Sequence, residues 1–498
     1  MLTSLEQIQT IAGSLRPKAQ AFIDGAFCDA SNGGTFAAVN PATGEVICSV
    51  AHSTGADVDR ALTAARRVFA DGRWSRAAPD HRKEVLLKLA ALVRENTPEL
   101  SVLESLDSGK TITNCIHEIG ADVSNFFQSY GELCDKSFGK VAPIGEEALA
   151  LVVKEPAGVV GLVLPWNFPL LMAAWKLAPA LAAECSTIVK PAEQTPLSVI
   201  RLAELAQEAG LPDGVLNVVP GLGETTGLAI GRHSDIDIIS FTGSSQVGGH
   251  FLRYSSESNL KVVRLEMGGK SPFIMRDDAN LTEDLIEHAV KSAFWNGGQN
   301  CSANMRQIVD SSLVDLFLEK VCARAQAYKV GNPLDPSTDI GAMVTKEHME
   351  RVLNYIDMGR SEGAKLIMGG QCVRSAYFVS PTVFTGVNPN MGIAKEEFFG
   401  PVLGIIPVNG MDEALRVASD TDFGLHATVF TRDIDRALHM AHRLPCGTIS
   451  INGFSEGDIK TPFGGYKRSG SLARDKGTEA LDQYLQTKAI WISRRLGA

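Results

Sequence analysis

The stretch Val159-Val160-Gly161-Leu162-Val163-Leu164, with the apolar segments Leu170 to Ala183 and Ser186 to Val189 that follow it, decides the fold. The run is apolar enough to suggest a membrane span, but Pro165 and Lys176 are among the residues that interrupt it. A bilayer-spanning helix of about 20 residues rarely carries such residues. The pattern therefore predicts a buried strand, a turn, a buried helix and a second buried strand.

The same alternation of strands and helices continues on the C-terminal side of this stretch. Further buried strands are predicted at 215–219 and 236–241. Helices are predicted from the cap Thr195-Pro196 to Gly210, from about residue 223, and from Thr242-Gly243-Ser244-Ser245 onwards. Repeated βα units of this length are typical of a parallel sheet with helices on both faces. Ligands bind such sheets at the carboxyl ends of the strands.

The flanking regions complete an α/β chain that is long enough for two or three domains. The expected elements are short strands at 20–52, helices at 54–134 with Gly109 as a C-terminal cap, a second βα-rich region at 272–450 with helices near 281–294, 311–327 and 345–363, and an extended tail strand from Leu485 to Ile492.

The composition is that of an ordinary globular chain and excludes several classes of function. The 498 residues carry a formal net charge of −10, which provides no basic surface for nucleic acid or an anionic membrane. The nine cysteines are an odd number without CxxC spacing, so neither a metal site nor a disulfide framework is predicted. Residues 1–18 lack the apolar run of a signal peptide, and free thiols suit a reducing compartment. We therefore expect a cytoplasmic location.

Three residues have sequence contexts that suit catalysis. Cys301 follows Gly297-Gly298-Gln299-Asn300, where two glycines allow a close approach to a ligand, although most free cysteines are small core residues. Glu266 stands at an apolar strand end, where burial would raise its pKa toward that of a general base. A salt-bridged structural glutamate is the alternative. Asn167 lies between two prolines in the sequence and is a suitable oxyanion donor.

Three loops that follow predicted strands could hold a cofactor. Lys190-Pro191-Ala192-Glu193 offers a cation and a carboxylate to a ribose or phosphate, but a solvated surface pair is equally compatible. Gly221-Leu222-Gly223 is a glycine turn of weak specificity. Phe241-Thr242-Gly243-Ser244 precedes a helix, whose first N–H groups suit a pyrophosphate. Because the chain has no GxGxxG fingerprint, these loops alone leave the cofactor open.

Together these motifs resemble those of the NAD(P)-dependent, non-phosphorylating aldehyde dehydrogenase superfamily, and the resemblance covers essentially the whole chain. The motifs, which follow the family's order, are Pro165-Trp166-Asn167-Phe168-Pro169, Lys190-Pro191-Ala192-Glu193, Phe241-Thr242-Gly243-Ser244, Leu265-Glu266-Met267-Gly268-Gly269-Lys270, Gly298-Gln299-Asn300-Cys301, Glu396-Glu397-Phe398-Phe399-Gly400-Pro401 and Pro462-Phe463-Gly464-Gly465-Tyr466-Lys467. The resemblance implies a Rossmann-like NAD-binding domain at 1–133 and 156–266, an α/β catalytic domain at 267–465, and β-strands for oligomerisation at 134–155 and 482–498.

The resemblance also implies roles for the site residues. Cys301 would attack the aldehyde as a thiolate, Asn167 and the Cys301 backbone N–H would hold the oxyanion, and Glu266 would activate water to release the acid. NAD is the implied cofactor, because a carboxylate at Glu193 would repel the 2′-phosphate of NADP. The residues implied to bind it are Pro165, Trp166, Lys190, Glu193, Gly223, Phe241, Gly243, Ser244, Glu397 and Phe399.

The implied substrate tunnel is apolar and has an acidic mouth. Its wall is expected to contain Phe168, Met172, Trp175, Trp295 and Phe463. Glu456 and Asp458 near the mouth could hold a substrate ammonium, or they could be two solvated loop acids. The C-terminal motifs resemble those of the bacterial γ-glutamyl-γ-aminobutyraldehyde dehydrogenases of putrescine breakdown, so an ω-aminoaldehyde is the expected substrate. Betaine aldehyde or a general aliphatic aldehyde is the alternative.

Several other interpretations are weighed against this one. A late glutamate that has been proposed to relay protons in the family falls at Thr478 here. A CoA-acylating semialdehyde dehydrogenase is disfavoured by Glu266, which those enzymes generally lack. A non-catalytic structural protein is disfavoured because the nucleophile, base and oxyanion donor are all present. A cysteine hydrolase is disfavoured because no histidine has a sequence context that marks it as a partner of the cysteine.

In the family, the strand extension typically pairs between subunits, so a homodimer or homotetramer is expected.

Overall fold

Two seven-stranded sheets and one three-stranded sheet organise the chain in the computed structural model, which describes residues 4–373 and 376–494. Its N-terminal elements are α1 (Leu5–Ser14), β1 (Ala21–Ile23), β2 (Ala26–Cys28), β3 (Thr35–Asn40), β4 (Glu45–Ala51), α2 (Gly55–Asp71), α3 (Pro79–Glu95), α4 (Thr97–Ser108), α5 (Ile112–His117), a π-helical turn (Glu118–Val123), α6 (Ser124–Leu133), β5 (Lys140–Ala142), β6 (Ala148–Pro156), β7 (Val159–Val163), α7 (Pro169–Ala182), β8 (Ser186–Lys190), α8 (Leu197–Ala209), β9 (Leu216–Val218), a second π-helical turn (Gly223–Gly227), α9 (Leu228–Arg232), β10 (Ile238–Gly243), α10 (Ser245–Ser256) and β11 (Val262–Met267).

The C-terminal elements build the second sheet and close the chain. They are β12 (Pro272–Met275), α11 (Glu283–Phe294), a 3₁₀ turn (Trp295–Gly298), β13 (Arg306–Asp310), α12 (Val314–Gln326), α13 (Lys346–Ser361), β14 (Lys365–Met368), β15 (Thr382–Thr385), α14 (Gly392–Lys395), β16 (Val402–Val408), α15 (Gly410–Ser419), β17 (Phe423–Gly424), β18 (His426–Phe430), α16 (Ile434–Arg443), β19 (Thr448–Ile451), β20 (Tyr466–Lys467), α17 (Gly477–Asp482) and β21 (Leu485–Ser493).

The first sheet has the strand order β11-β10-β7-β8-β9-β1-β2 and is parallel from β11 to β9. The predicted parallel sheet is therefore confirmed, but β1 and β2 extend it in the antiparallel sense. These two strands form a hairpin whose turn residues, Asp24 and Gly25, have φ of 54° and 77°. A two-residue Asp-Gly turn of this kind joins antiparallel neighbours, which explains the reversal.

The second sheet has the order β14-β15-β16-β13-β12-β18-β19, and only the edge pair β14–β15 is antiparallel. The three helices predicted in this region are confirmed as α11, α12 and α13, within three residues at each end. Since the carboxyl ends of parallel strands share one edge of a sheet, the loops after these strands can converge on one site.

Helix ends test the cap predictions. The cap at Gly109 is confirmed, because α4 ends at Ser108 and Gly109 has φ of 77°. The predicted cap at Thr195 is wrong. Helix α8 begins at Leu197, whose N–H donates to Asp107 Oδ2 at 2.9 Å, while the Thr195 hydroxyl donates to the Trp166 carbonyl at 3.3 Å. A carboxylate from α4 therefore satisfies the first N–H of α8.

A third, antiparallel sheet has the order β21-β6-β5. The predicted tail strand is confirmed as β21, which pairs with β6 along nine residues and is mostly exposed. Within the two described segments of the chain, none of the helices combines the length and hydropathy needed to cross a bilayer.

Candidate active site

One cavity collects most of the residues that the sequence singled out. Residues at and after the ends of β7, β10 and β11 line it, together with the turn around Cys301. The loop before β16 and the loop after β19 also contribute lining residues. The predicted residues that line it are Pro165, Trp166, Asn167, Phe168, Met172, Trp175, Gly243, Ser244, Glu266, Trp295, Cys301, Glu397, Phe399, Glu456 and Phe463. The lining residues that the sequence prediction missed as ligand contacts are Leu171, Thr242, Met267, Gly268, Asn300, His348 and Arg351.

The backbone that presents Cys301 is held in an unusual conformation. Asn296, Gly297 and Gly298 have φ of 51°, 63° and 72°, a left-handed run that ordinary side chains rarely adopt. A Cβ at Gly298 would lie 2.2 Å from the Gly400 carbonyl oxygen. The two glycines are therefore required by the turn and its packing, as their positions in the sequence suggested.

The Cys301 thiol is partly exposed to the cavity. Burial raises its pKa well above the usual range, and the nearby carboxylates of Glu456, Glu266 and Glu397 raise it further. The thiol is consequently protonated in the protein as it stands, and a base or a positive charge is needed to form the thiolate nucleophile.

The Asn167 side chain lies directly against the nucleophile's turn. Its Nδ2 donates to the Gln299 carbonyl at 3.0 Å, and Asn296 Nδ2 donates to the Asn167 carbonyl at 3.0 Å. An asparagine amide has two N–H groups, so one remains for an oxygen in the cavity. The loop after β7 and the turn before Cys301 are thus tied together at the point where an oxyanion would form.

Glu266 is the next-to-last residue of β11 and is 3% exposed. Neither of its carboxylate oxygens accepts a hydrogen bond from a described residue. Burial raises the pKa of Glu266 well above its ordinary value; the charge of Asp475 raises it further, and Lys176 opposes the shift. A buried, unpaired carboxyl group of this kind is suited to proton transfer near neutral pH.

A buried ion pair next to Glu266 was missed by the sequence analysis. Lys176 Nζ lies 3.0 Å from Asp475 Oδ2 and 3.1 Å from Ser240 Oγ, and the lysine and aspartate side chains are nearly inaccessible. The position expected for the late carboxylate, Thr478, is instead exposed. Two backbone hydrogen bonds between Asp475 and Phe463 hold this segment beside the cavity that Phe463 lines.

Glu397 and the aromatic rings around it form another part of the cavity. Glu397 Oε1 accepts a hydrogen bond from the Gly269 N–H at 2.8 Å, and burial raises its pKa to about 7. Gly268 must lack a side chain, because a Cβ there would lie 2.0 Å from the same carboxylate. The Trp166 ring contacts Phe399 and His348, with centroids 5.6 Å and 5.1 Å away.

Four residues implied to bind the cofactor do not line this cavity. Lys190 is buried and paired with Glu193 at 3.1 Å, just past the end of β8. Gly223 is exposed at the start of a π-helical turn. The side chain of Phe241 is buried and packs on Phe251 with centroids 5.1 Å apart. The Phe241 ring therefore belongs to the core, and a contact between its backbone and the cofactor stays a prediction.

The aromatic residues predicted for the tunnel wall contact one another in pairs, and one residue of the acidic loop lines the cavity with them. The Phe168 ring is tilted against Trp295, and the Trp175 ring meets Phe463 edge to face, with centroids 5.1 Å and 5.3 Å apart. The expected aromatic residues are therefore together. Glu456 lines the cavity and accepts a hydrogen bond from the Ser302 hydroxyl.

Asp458, by contrast, is not among the cavity's lining residues. Its side chain is 62% exposed, and its Oδ1 accepts from the Lys460 N–H at 3.0 Å. It behaves as the solvated loop acid of the alternative interpretation, because the turn it closes faces water. Of the two carboxylates that the sequence places near the tunnel mouth, Glu456 thus lines the cavity and Asp458 faces water.

Comparison with known proteins supports the interpretation of these motifs. Residues 27–490 match the aldehyde dehydrogenase family. An aminoacetaldehyde dehydrogenase of Pseudomonas aeruginosa is 48% identical over 491 residues, which cover 99% of each chain. The NADP/NAD-dependent aldehyde dehydrogenase PuuC of Escherichia coli is 43% identical, over 97% of this chain and 98% of the relative.

Solved structures agree over nearly the whole chain. A γ-glutamyl-γ-aminobutyraldehyde dehydrogenase from Burkholderia cenocepacia is 46% identical and has a TM-score of 0.96, covering 99% of this chain and all of that one. A mutant indole-3-acetaldehyde dehydrogenase of P. syringae, solved with NAD+ and IAA, is 41% identical and has a TM-score of 0.97, with the same coverage. The family and fold predicted from the motifs are confirmed, and the chain belongs to the aldehyde dehydrogenase family.

Proposed function

We propose that this chain is an NAD-dependent dehydrogenase that oxidises an aminoaldehyde to its carboxylic acid. The observation that carries the proposal is the convergence of four groups on one cavity. These are a partly exposed cysteine, an asparagine amide beside it, a buried glutamate whose oxygens accept no hydrogen bond from a described residue, and the carboxylate of Glu456.

Cys301 and Asn167 would carry out the first half of the reaction. The Cys301 Sγ bonds to the aldehyde carbon, and the π electrons of the carbonyl move to its oxygen. The free Asn167 N–H and the Cys301 backbone N–H hold that oxyanion. NAD+, when bound, supplies a positive charge that favours the thiolate and an acceptor for the hydride, whose departure leaves a thioester on Cys301.

Glu266 would carry out the second half. Its carboxylate takes a proton from water, whose oxygen attacks the thioester carbon. The carbon–sulfur bond then breaks, the acid is released and Cys301 leaves as a thiolate. Asp475 keeps the proton affinity of Glu266 high, while Lys176 limits that effect. The ion pair therefore tunes the base.

The residues around Trp166 and Glu397 fit a dinucleotide. Ser244 is the N-cap of the twelve-residue helix α10, where backbone N–H groups suit a pyrophosphate. Glu397 lies in the cavity and would hold the nicotinamide ribose, and Lys190 and Glu193 beyond it would hold the adenosine ribose. The Glu193 carboxylate favours NAD over NADP, because it repels a 2′-phosphate.

The acidic loop and the names of two relatives support a substrate that carries an amino group. Glu456 is the carboxylate of that loop that lines the cavity. Relatives named for aminoacetaldehyde and for γ-glutamyl-γ-aminobutyraldehyde are 48% and 46% identical to this chain. An ammonium held by Glu456 would place the aldehyde of a short aminoaldehyde next to Cys301.

The domain roles remain part of the proposal. Residues 1–133 and 156–266 would bind NAD, 267–465 would carry the catalytic groups, and 134–155 with 482–498 would build the subunit interface. Of these ranges, residues 1–3, 374–375 and 495–498 lie outside the described chain. The described part of the chain contains no disulfide bond, which supports a reducing compartment and hence the cytoplasm.

We propose that β21 assembles the protein into a homodimer or homotetramer. It is the edge strand of its sheet, and Ile490, Trp491 and Ile492 are 39%, 62% and 44% exposed. Exposed apolar edge strands associate readily. Light scattering after size exclusion should give a mass of two or four chains, reduced in Trp491→Lys. A monomeric wild type would contradict the proposal.

The function is tested by NADH formation with a panel of aldehydes, with Cys301→Ala as the control. We expect kcat/KM for 3-aminopropionaldehyde to exceed that for hexanal at least tenfold, about 1.4 kcal/mol of transition-state preference. Equal values would contradict the aminoaldehyde assignment but not the dehydrogenase. Undiminished activity in Cys301→Ala would contradict the proposed mechanism.

A further inference from the structure

The acidic loop, residues 454–458, is fixed at its backbone. His426 Nε2 lies 3.0 Å from the Ser455 carbonyl oxygen. Lys476 is 3% exposed, and its Nζ donates to the Glu456 carbonyl at 2.6 Å and to that of Gly457 at 3.4 Å. A loop with three of its carbonyls held in this way presents Glu456 in one place.

The carboxylate of Glu456 is held by the residue that follows the nucleophile. The Ser302 N–H donates to Asn300 Oδ1 at 3.2 Å, and Asn300 Nδ2 donates to Ser302 Oγ at 2.9 Å. Because the amide already donates to the Ser302 oxygen, the hydroxyl hydrogen is free to point at Glu456 Oε1, which accepts it. Glu456 is therefore engaged as an acceptor and keeps further lone pairs for the cavity.

This arrangement places the carboxylate in the same cavity as the reacting sulfur. Ser302 and Cys301 are consecutive, with Cα atoms about 3.8 Å apart. Glu456 is bonded to the first and shares the cavity with the second. Among the neighbouring charges, Glu456 has the largest effect on the Cys301 pKa, which agrees with a close approach.

We propose that Ser302 is a positioning residue that fixes Glu456 as an ammonium site within one residue of the nucleophile, which makes the enzyme selective for short aminoaldehydes. This inference rests on the proposed function. An aldehyde that carries its ammonium on C2 or C3, counted from the carbonyl carbon as C1, can reach Cys301 and Glu456 together. The ammonium of γ-glutamyl-γ-aminobutyraldehyde lies at the far end of a long chain and passes this site.

A bound ammonium would also act on the nucleophile. It offsets the negative charge that Glu456 places near Cys301, so the contact that binds the substrate also favours the thiolate. Charge-assisted hydrogen bonds between ammonium and carboxylate are among the stronger ones in proteins. Their strength depends on geometry, and Ser302 supplies that geometry.

The test compares kcat/KM for isosteric pairs of aldehydes that differ in charge. Aminoacetaldehyde is matched with propionaldehyde, and 3-aminopropionaldehyde with butyraldehyde. The ratio within a pair cancels any effect of a variant that is common to both aldehydes. We expect Ser302→Ala to lower both ratios at least tenfold, about 1.4 kcal/mol. Ser302→Thr, which keeps the hydroxyl, should retain the wild-type ratios within threefold.

Two further variants keep the test decisive if Ser302→Ala does not fold. Glu456→Gln should lower the same ratios at least tenfold, and Asp458→Asn, which alters the exposed acid of the same loop, should leave them unchanged. The activity with γ-glutamyl-γ-aminobutyraldehyde, relative to hexanal, should change less than threefold in Ser302→Ala or Glu456→Gln.

Unchanged ratios in Ser302→Ala and Glu456→Gln would overturn the inference while leaving the dehydrogenase intact. An equal loss in Ser302→Thr and Ser302→Ala would also overturn it, since packing rather than the hydroxyl would then be responsible. Absence of NADH formation from every aldehyde in the wild type would refute the proposed function itself, and the inference with it.

Discussion

Replacing Asn167 by alanine should remove the proposed oxyanion donor while leaving the folding of the protein nearly unchanged. One Asn167 N–H is used by the Gln299 carbonyl at 3.0 Å, and the other is left for the substrate oxygen. The Gln299 carbonyl also accepts from Asn296 Nδ2 at 3.3 Å, so it keeps a partner in the variant. We therefore expect a small effect on folding and the loss of one donor in the transition state.

The size of the kinetic effect follows from that single donor. Removal of one oxyanion donor typically lowers kcat by about 10²–10³, or about 2.7–4 kcal/mol. The interaction forms with the oxyanion rather than with the aldehyde, so KM for the aldehyde should change much less than kcat. Steady-state NADH formation gives both constants, and quenching of tryptophan fluorescence gives the dissociation constant for NAD+.

Asn167→Asp is the matched control for this prediction. It preserves the size of the side chain but replaces the N–H donor by a carboxylate oxygen, so its kcat should fall at least as far as that of Asn167→Ala. A decrease of less than tenfold in Asn167→Ala, with NAD+ binding and thermal unfolding like the wild type, would refute the assignment of Asn167.

Three other predictions follow from charges in and beside the cavity. The ionised form of Glu266 is the base, so activity should rise with pH; Asp475→Asn removes a charge that raises its pKa and should move this rise to lower pH in a kcat–pH profile. Lys176→Met breaks a buried ion pair and should lower the free energy of unfolding by about 3–5 kcal/mol in chemical denaturation, and a change below about 1 kcal/mol would contradict it. Glu193→Gln should raise the ratio of kcat/KM for NADP+ to that for NAD+ at least fivefold, about 1 kcal/mol, and an unchanged ratio would show that the carboxylate does not face the 2′ position.

The candidate catalytic residues could be proposed from the sequence because each stands in a motif that constrains the local backbone. Glycines beside Cys301, prolines beside Asn167 and the apolar strand before Glu266 each constrain the backbone over a few residues. The parallel sheet and the helices near 281–294, 311–327 and 345–363 were similarly accessible, since a parallel sheet follows from the βα alternation.

The ion pair behind Glu266 could not be predicted in this way. Lys176 lies in an apolar helical run and Asp475 is 299 residues further along, so nothing local signals their contact. The resemblance placed the family's late glutamate at Thr478, which is exposed, and gave no signal that backbone pairing with Phe463 holds Asp475 in the interior. Asp475 stands in the charged stretch Arg474-Asp475-Lys476, and its burial depends on tertiary structure.

The orientation of the two carboxylates in the acidic loop could not be predicted from the sequence either. Glu456 and Asp458 are two residues apart and equally acidic, yet Glu456 faces the cavity and Asp458 faces water. The difference arises from contacts with Ser302 and Lys476, which are distant in sequence. Similarly, the motif that contains Phe241 predicts a contact with the cofactor but does not indicate that its ring lies in the core.

The most direct test of the account is to trap the covalent intermediate. Glu266→Gln lacks the base that releases the acid, so incubation with NAD+ and 3-aminopropionaldehyde should give one burst of NADH and one acyl adduct on the peptide that contains Cys301, detected by mass spectrometry. The double variant with Cys301→Ala should give neither. NADH formation without an adduct, or an adduct on another residue, would contradict the mechanism.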